Sequence, residues 1–175
     1  MIITYKGMNP KIHKNAVIMP ETTLIGDVEI GENSSVWFRS IVRGDIHYIR
    51  IGCNSNLQDG VIVHTGFGIY PALVGDNVTA GHGAFIHGTD IKDNVLIGMG
   101  AILLNGSVVN EGSIVAAGAL IRENFIVPSR SMVAGVPAKV IRDVTDEEYD
   151  AILKSADRYR ELAKTYIYQT NIKVL

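Results

Sequence analysis

A chain of 175 residues, 47% of them hydrophobic and only 19% charged, has room for one domain with a real core and not for two. A formal charge of -2 and a pI near 6.2 supply no basic field for nucleic acid or an anionic membrane, so neither is expected as a partner. The single cysteine, Cys53, excludes an intrachain disulfide framework and a multi-thiolate zinc site, and is expected to be a small half-buried hydrophobe.

The opening residues, Met1 to His13, lack the charged start and long apolar stretch of a secretion signal, and no apolar run approaches a membrane span. The expectation is a cytoplasmic protein. From Ile12 onward a large aliphatic recurs every six residues. It runs through Ile12, Ile18, Leu24, Ile30, Val36 and Val42, then Ile51, Leu57 and Val63, then Val74, Ala80 and Ile86, and on from Ile91 to Val133. Four residues after each aliphatic stands something small or β-branched, as at Ala16, Thr22, Ser34 and Ser40, and Gly or Asn is common in between. Neither a helical period nor simple alternation produces a recurrence of six. A parallel β-solenoid does: each hexad is a short strand plus a corner, the aliphatic points to the axis, and three hexads close a triangular coil. Over residues 1–140 the repeat predicts roughly seven coils stacked at ~4.8 Å, a prism on the order of 33 Å long.

The repeat breaks three times. Three extra residues fall between Val42 and Ile51, where a short outward loop is expected, and five between Val63 and Val74. One residue is missing between Ile86 and Ile91. All three breaks flank histidines or an Arg/Asp pair, and loops grafted on a rigid scaffold are where function concentrates. After Pro137 the pattern changes. Thr145-Asp146-Glu147-Glu148 reads as a capping box, and Tyr149, Ile152, Leu153, Ala156, Tyr159, Leu162, Ala163 and Tyr166 follow at helical spacing. An amphipathic helix over 145–168 is predicted, packed on the solenoid or on a neighbouring subunit.

Of the five histidines, His13 is read as a corner or surface residue, and His47 lies in the first interrupted stretch. The repeat register places the other three. His64 follows Val63 and His87 follows Ile86, three hexads apart, so the two side chains stack in one column on successive coils. At ~4.8 Å separation both imidazoles can reach one metal through bonds of ~2.0–2.1 Å. Arg43, following Val42, stands one coil earlier in that column. His82 lies two residues after Ala80, near a different corner. A ligand from there would have to cross the prism, whereas a neighbour around a three-fold axis can present its own His82 beside His64 and His87. Three neutral imidazoles and a water form the ligand set of a catalytic zinc.

These residues resemble the γ-class carbonic anhydrases. The matching segments are Arg43-Gly44-Asp45, Asn56-Leu57-Gln58-Asp59, His64 and Gly81-His82-Gly83-Ala84-Phe85-Ile86-His87-Gly88, and with the hexads and the C-terminal helix the likeness covers nearly the whole chain. It implies a left-handed solenoid and a homotrimer, with His64 and His87 from one subunit and His82 from the next. It also implies Zn2+, or Fe2+ or Co2+ in its place. Metal-bound water, its pKa lowered to ~7, would yield the hydroxide that attacks carbon dioxide, reversibly giving bicarbonate. On the same resemblance Gln58 orients the hydroxide or substrate, Arg43 and Asp45 form an interfacial ion pair, and Asp59 acts nearby, supporting a ligand from behind or handling protons. Plainer readings stay open: a trimer salt bridge for Arg43 and Asp45, a corner Asx turn for Asp59, and an apolar-stripe residue for Tyr159 rather than a polar group at the site.

The chain departs from the family pattern in two places. Ile46 stands where an acid follows the Arg-x-Asp, and Thr65-Gly66-Phe67-Gly68-Ile69 after His64 holds no acid. Turnover must export a proton, so slow hydration is expected. Two other functions compete: a hexapeptide acyltransferase using an acyl-CoA donor, with one histidine as base, and a non-catalytic, metal-bearing trimeric scaffold. A thioesterase using the same metal-bound water is compatible with the same ligands.

Overall fold

A computed structural model describes residues 1–169 of the chain. The hexads form short parallel strands, most of two or three residues, stacked into three faces of a solenoid with about seven levels. One face stacks Ile2–Ile3, Thr23–Ile30, Ile41–Ile51, Ile62–His64, Phe85–His87, Ile102–Leu103 and Leu120–Ile121. A second continues from the far ends of the two long strands through Ala72–Val74, Asp90–Ile91, Val108–Val109 and Ile126–Val127. The third runs from Val17–Ile18 to Ser131–Gly135 and is closed by the antiparallel strand Ala138–Asp143.

The register explains the core. Leu24, Val42, Val63, Ile86, Leu103 and Ile121 sit opposite one another on the first face, and all are buried along the axis. The small residues of each hexad, such as Ser34, Ser40, Ala84 and Ala101, are buried where the corners turn inward. At one edge, Asn33, Asn54, Asn77 and Asn94 adopt positive φ, which asparagine tolerates better than other non-glycine residues. The side chains of the last three also bind one another along the stack, Asn54 Nδ2 to Asn77 Oδ1 at 2.7 Å and Asn77 Nδ2 to Asn94 Oδ1 at 2.9 Å.

At the first break the three extra residues do bulge outward, but within a single strand, Ile41–Ile51: Asp45 to Tyr48 stand opposite Asp27 alone, with Ile46 and Tyr48 exposed, where Thr23–Ile30 and Ile41–Ile51 approach closely. Gly44 makes this approach possible, because a Cβ there would lie 2.5 Å from the carbonyl oxygen of Asp27. The second break is a true loop, pinched by an antiparallel bridge between Gly66 and Tyr70, with Phe67 and Ile69 exposed at its tip.

The helix spans Asp146–Gln169 and lies on the third face. The capping box forms as read: Glu148 N–H donates to Thr145 Oγ1 at 3.2 Å, and Thr145 N–H donates to Glu148 Oε2 at 3.0 Å. Its apolar stripe closes two clusters, one around Trp37 with Tyr159, Ala163 and Tyr166, the other joining Ile152 to Ile114 and Val144. Tyr159 packs edge-on against Trp37, with ring centroids 5.3 Å apart. Among the described residues, no helix is long and apolar enough to cross a membrane. Cys53 corrects the expectation of a half-buried hydrophobe. It is exposed at a corner, where its N–H donates to Asp76 Oδ1 and its side chain turns away from the axis.

Candidate metal centre

The parallel register that buries the aliphatics also aligns the residues after them. Arg43 pairs with His64, and His64 pairs with His87, forming one column at the edge of the first face. Within it Arg43 Nη1 donates to Asp45 Oδ2 at 2.7 Å, and Asp45 Oδ1 accepts from His64 Nε2 at 3.0 Å. His64 Nδ1 then faces His87 Nε2 at 3.2 Å, and His87 Nδ1 lies 2.8 Å from Asn105 Oδ1 on the next coil.

The charges explain the protonation of this row. Burial works to raise the pKa of Asp45, but hydrogen bonds from Arg43 and His64 outweigh it and hold the carboxyl below its usual range. Burial, foremost, and the Arg43 charge keep His64 below the ordinary histidine value, against the pull of Asp45. Near neutral pH the pair is therefore a carboxylate and a neutral imidazole. A carboxylate only accepts, so the imidazole hydrogen is on His64 Nε2 and Nδ1 is bare. With Asn105 Oδ1 as acceptor, His87 carries its hydrogen on Nδ1 and its Nε2 is bare as well.

Two lone pairs facing each other at 3.2 Å repel unless a cation joins them. Nitrogens at that separation both lie within a zinc–nitrogen bond of ~2.0–2.1 Å from a common point and subtend about 100° there, close to tetrahedral. The donor set fits a transition metal.

The remaining predicted residues gather at the opposite edge of the same face. His82 Nδ1 lies 2.8 Å from Asp59 Oδ2, which leaves His82 Nε2 as the ring nitrogen without a partner among the described residues, on a side chain that is 46% exposed. Gln58, buried, accepts the His82 backbone N–H through Oε1 at 3.2 Å, and its Nε2 makes only a long 3.4 Å contact to Asn56. Tyr159 stands near this edge: burial and the Asp59 charge both raise its pKa. His47 is held by its N–H to Thr65 Oγ1 at 3.1 Å, beside His64 in sequence.

The seven predicted residues thus form two groups: Arg43, Asp45, His64 and His87 at one edge, and Gln58, Asp59 and His82 at the other. Among the described residues of one chain, no three His, Cys, Asp or Glu side chains gather closely enough to hold an ion. Between the two edges Ile41, Phe85 and Ile102 are exposed in a row, with Ile62 and Leu120 half-buried in line with them. Asn105 escaped the sequence reading. The available signal was its place one coil beyond Gly88, in an Asn-Gly corner stacked over the histidine column.

Residues 9–44 match the bacterial transferase hexapeptide family, in its six-repeat form. Over 90% of its length the chain is 42% identical to gamma carbonic anhydrase 1, mitochondrial, of Arabidopsis thaliana, but spans only 59% of that longer relative. It is 47% identical to a protein of Methanocaldococcus jannaschii named "Probable carbonic anhydrase", with 88% of this chain and 96% of the relative covered. A solved structure of a hexapeptide transferase family protein from Anaplasma phagocytophilum superposes with a TM-score of 0.91 at 38% identity, covering 95% of this chain and 98% of that one.

Proposed function

The chain belongs to the γ-class carbonic anhydrase family, and we propose that it catalyses the reversible hydration of carbon dioxide at a metal shared between neighbouring copies in a homotrimer. The observation that carries this reading is the division of one site into two halves at opposite edges of one face. Each half lacks what the other holds, so a head-to-tail contact that closes on itself completes a site at every interface. The exposed row of Ile41, Phe85 and Ile102 between the edges supplies apolar surface for that contact.

In this arrangement His64 Nδ1 and His87 Nε2 of one copy, with His82 Nε2 of the next, would hold Zn2+, or Fe2+ or Co2+, which imidazole also binds. When bound, such an ion supplies a water whose pKa is lowered to ~7 and thereby a nucleophile for carbon dioxide. The chain's own residues prepare the rest. Asp45, held by Arg43, orients His64 and strengthens it as a donor, and Asp59 does the same for His82. Gln58 keeps its amide hydrogens weakly engaged beside His82, available to orient carbon dioxide or bicarbonate. Asp59 is 44% exposed, so a proton accepted there can pass to bulk water. With Ile46 and the acid-free loop after His64, that export is expected to limit turnover.

The transferase name of the Anaplasma structure supports a second reading, group transfer, for which the candidate offered by the sequence is acyl transfer from an acyl-CoA donor. Metal analysis of the purified protein, paired with stopped-flow carbon dioxide hydration, separates the readings. Roughly one metal per chain, lost in His82→Ala together with hydration, is the expected result. Tight CoA binding without metal would move the assignment to acyl transfer, and metal without either activity to a trimeric scaffold.

A further inference from the structure

We propose that Asn105 is the positioning residue for His87, holding that imidazole with its hydrogen on Nδ1 and its bare Nε2 turned toward His64. The proposal rests on reading the histidines as metal ligands and adds what decides whether one of them can act as one. In the alternative tautomer, His87 would carry its hydrogen on Nε2 and donate it across the 3.2 Å gap to His64 Nδ1. That hydrogen bond would close the ion's place. Only an acceptor behind His87 selects the open form, and Asn105 Oδ1, 2.8 Å from Nδ1, is that acceptor.

The acceptor is built in rather than incidental. Its main chain is tied to both neighbouring coils, with Gly106 N–H donating to the Gly88 carbonyl at 2.8 Å and Asn124 N–H to the Asn105 carbonyl at 3.0 Å. Its carboxamide oxygen occupies a notch that two glycines leave open: a Cβ at Gly66 or at Gly88 would lie 2.4 Å from Asn105 Oδ1. Tyr70 closes the notch, its Cβ lying 2.8 Å from both of those same positions. His64 and His82 are backed by carboxylates, whereas His87 is backed by a neutral amide. The amide gives the same direction of hydrogen bond without a third negative charge.

The experiment uses the full-length, metal-stripped protein and two variants, Asn105→Ala and Asn105→Asp. Nitrogen-15 NMR of labelled histidine reads the His87 tautomer without metal, and competition with a chelator reads Co2+ affinity. Wild type and Asn105→Asp should carry the His87 hydrogen on Nδ1, and Asn105→Ala should move it to Nε2. Co2+ binding should weaken about 10–100-fold in Asn105→Ala and stay equal or tighten in Asn105→Asp. A merely structural asparagine would not show rescue by a charged acceptor. The proposal is overturned by a wild-type His87 protonated on Nε2, or by Asn105→Ala binding Co2+ as the wild type does. If Asn105→Ala does not fold, weakened Co2+ binding by folded Asn105→Asp refutes the proposal and retained binding supports it. A wild type that binds no Co2+ refutes the metal site itself, and with it the proposal, before any variant is compared.

Discussion

Dividing the site between two edges makes a mixing experiment decisive. His82→Ala removes the proposed ligand at one edge and leaves His64 and His87 facing each other; His87→Ala removes one of that pair and leaves His82 beside Asp59. Neither variant alone can assemble three imidazoles at any interface, so each should bind almost no Co2+. If the two are co-expressed and assemble at random, an interface is intact only where a His82→Ala chain offers its His64 and His87 edge to a His87→Ala chain offering its His82 edge. Each condition holds half the time, so about one quarter of the interfaces should recover a full site in a closed head-to-tail ring. Cobalt stoichiometry and its visible absorption measure the recovery, and hydration rate should return in the same proportion. Mixed assemblies that bind no more cobalt than either parent would refute a ligand set shared between chains.

Phe85→Asp places a charge in the middle of the exposed apolar row and should lower the assembly's mass in light scattering while the melting of the monomer hardly changes; an intact trimer would show that this row is not the contact. In the metal-free protein, the lowered pKa of His64 means that the unfolded chain binds more protons once pH drops below the ordinary value of 6.5. Stability should therefore be complete above about that pH and decline as pH falls through the lower folded value. The lowered pKa of Asp45 adds a further decline below its ordinary 3.8. Thermal melts between pH 8 and 3 should show the first part flattened in His64→Gln, and an unchanged slope would count against the assignment. Thr145→Ala removes the acceptor for Glu148 N–H and should cost about 1 kcal/mol in urea unfolding. Glu148, its pKa pulled down to about 2 chiefly by Arg142 and then by the Thr145 N–H, stabilises the helix start above its ordinary pKa of 4.5. That contribution disappears as pH falls toward 2, which helicity monitored by circular dichroism would reveal.

Much of this architecture was readable in the chain because a six-residue period admits few structures. An aliphatic every sixth position can be buried continuously only on the axis of a triangular solenoid, and the pairings of Arg43 with His64 and of His64 with His87 follow from counting hexads. The capping box at Thr145 and Glu148 was equally local, since its partners lie within one turn of the helix. Counting located the outward bulge after Val42 but not the pairing around it: the stretch stays one long strand because Gly26 and Gly44 allow two backbones to approach too closely for any side chain. It also misjudged Cys53, because a corner residue's exposure depends on which way the turn throws its side chain.

The sequence by itself determined the solenoid, its core and the stacking of His64 over His87, because each follows from periodicity or from one-residue offsets within it. Which nitrogen each histidine turns outward was decided only by the tertiary structure. Asp45, Asp59 and Asn105 set those orientations through hydrogen bonds within and between coils, at 3.0, 2.8 and 2.8 Å. That His82 stands at the far edge of the face was already legible in its place two residues after Ala80, because a corner and a strand end cannot point to one place on a straight prism; the side-chain partners that orient it were not.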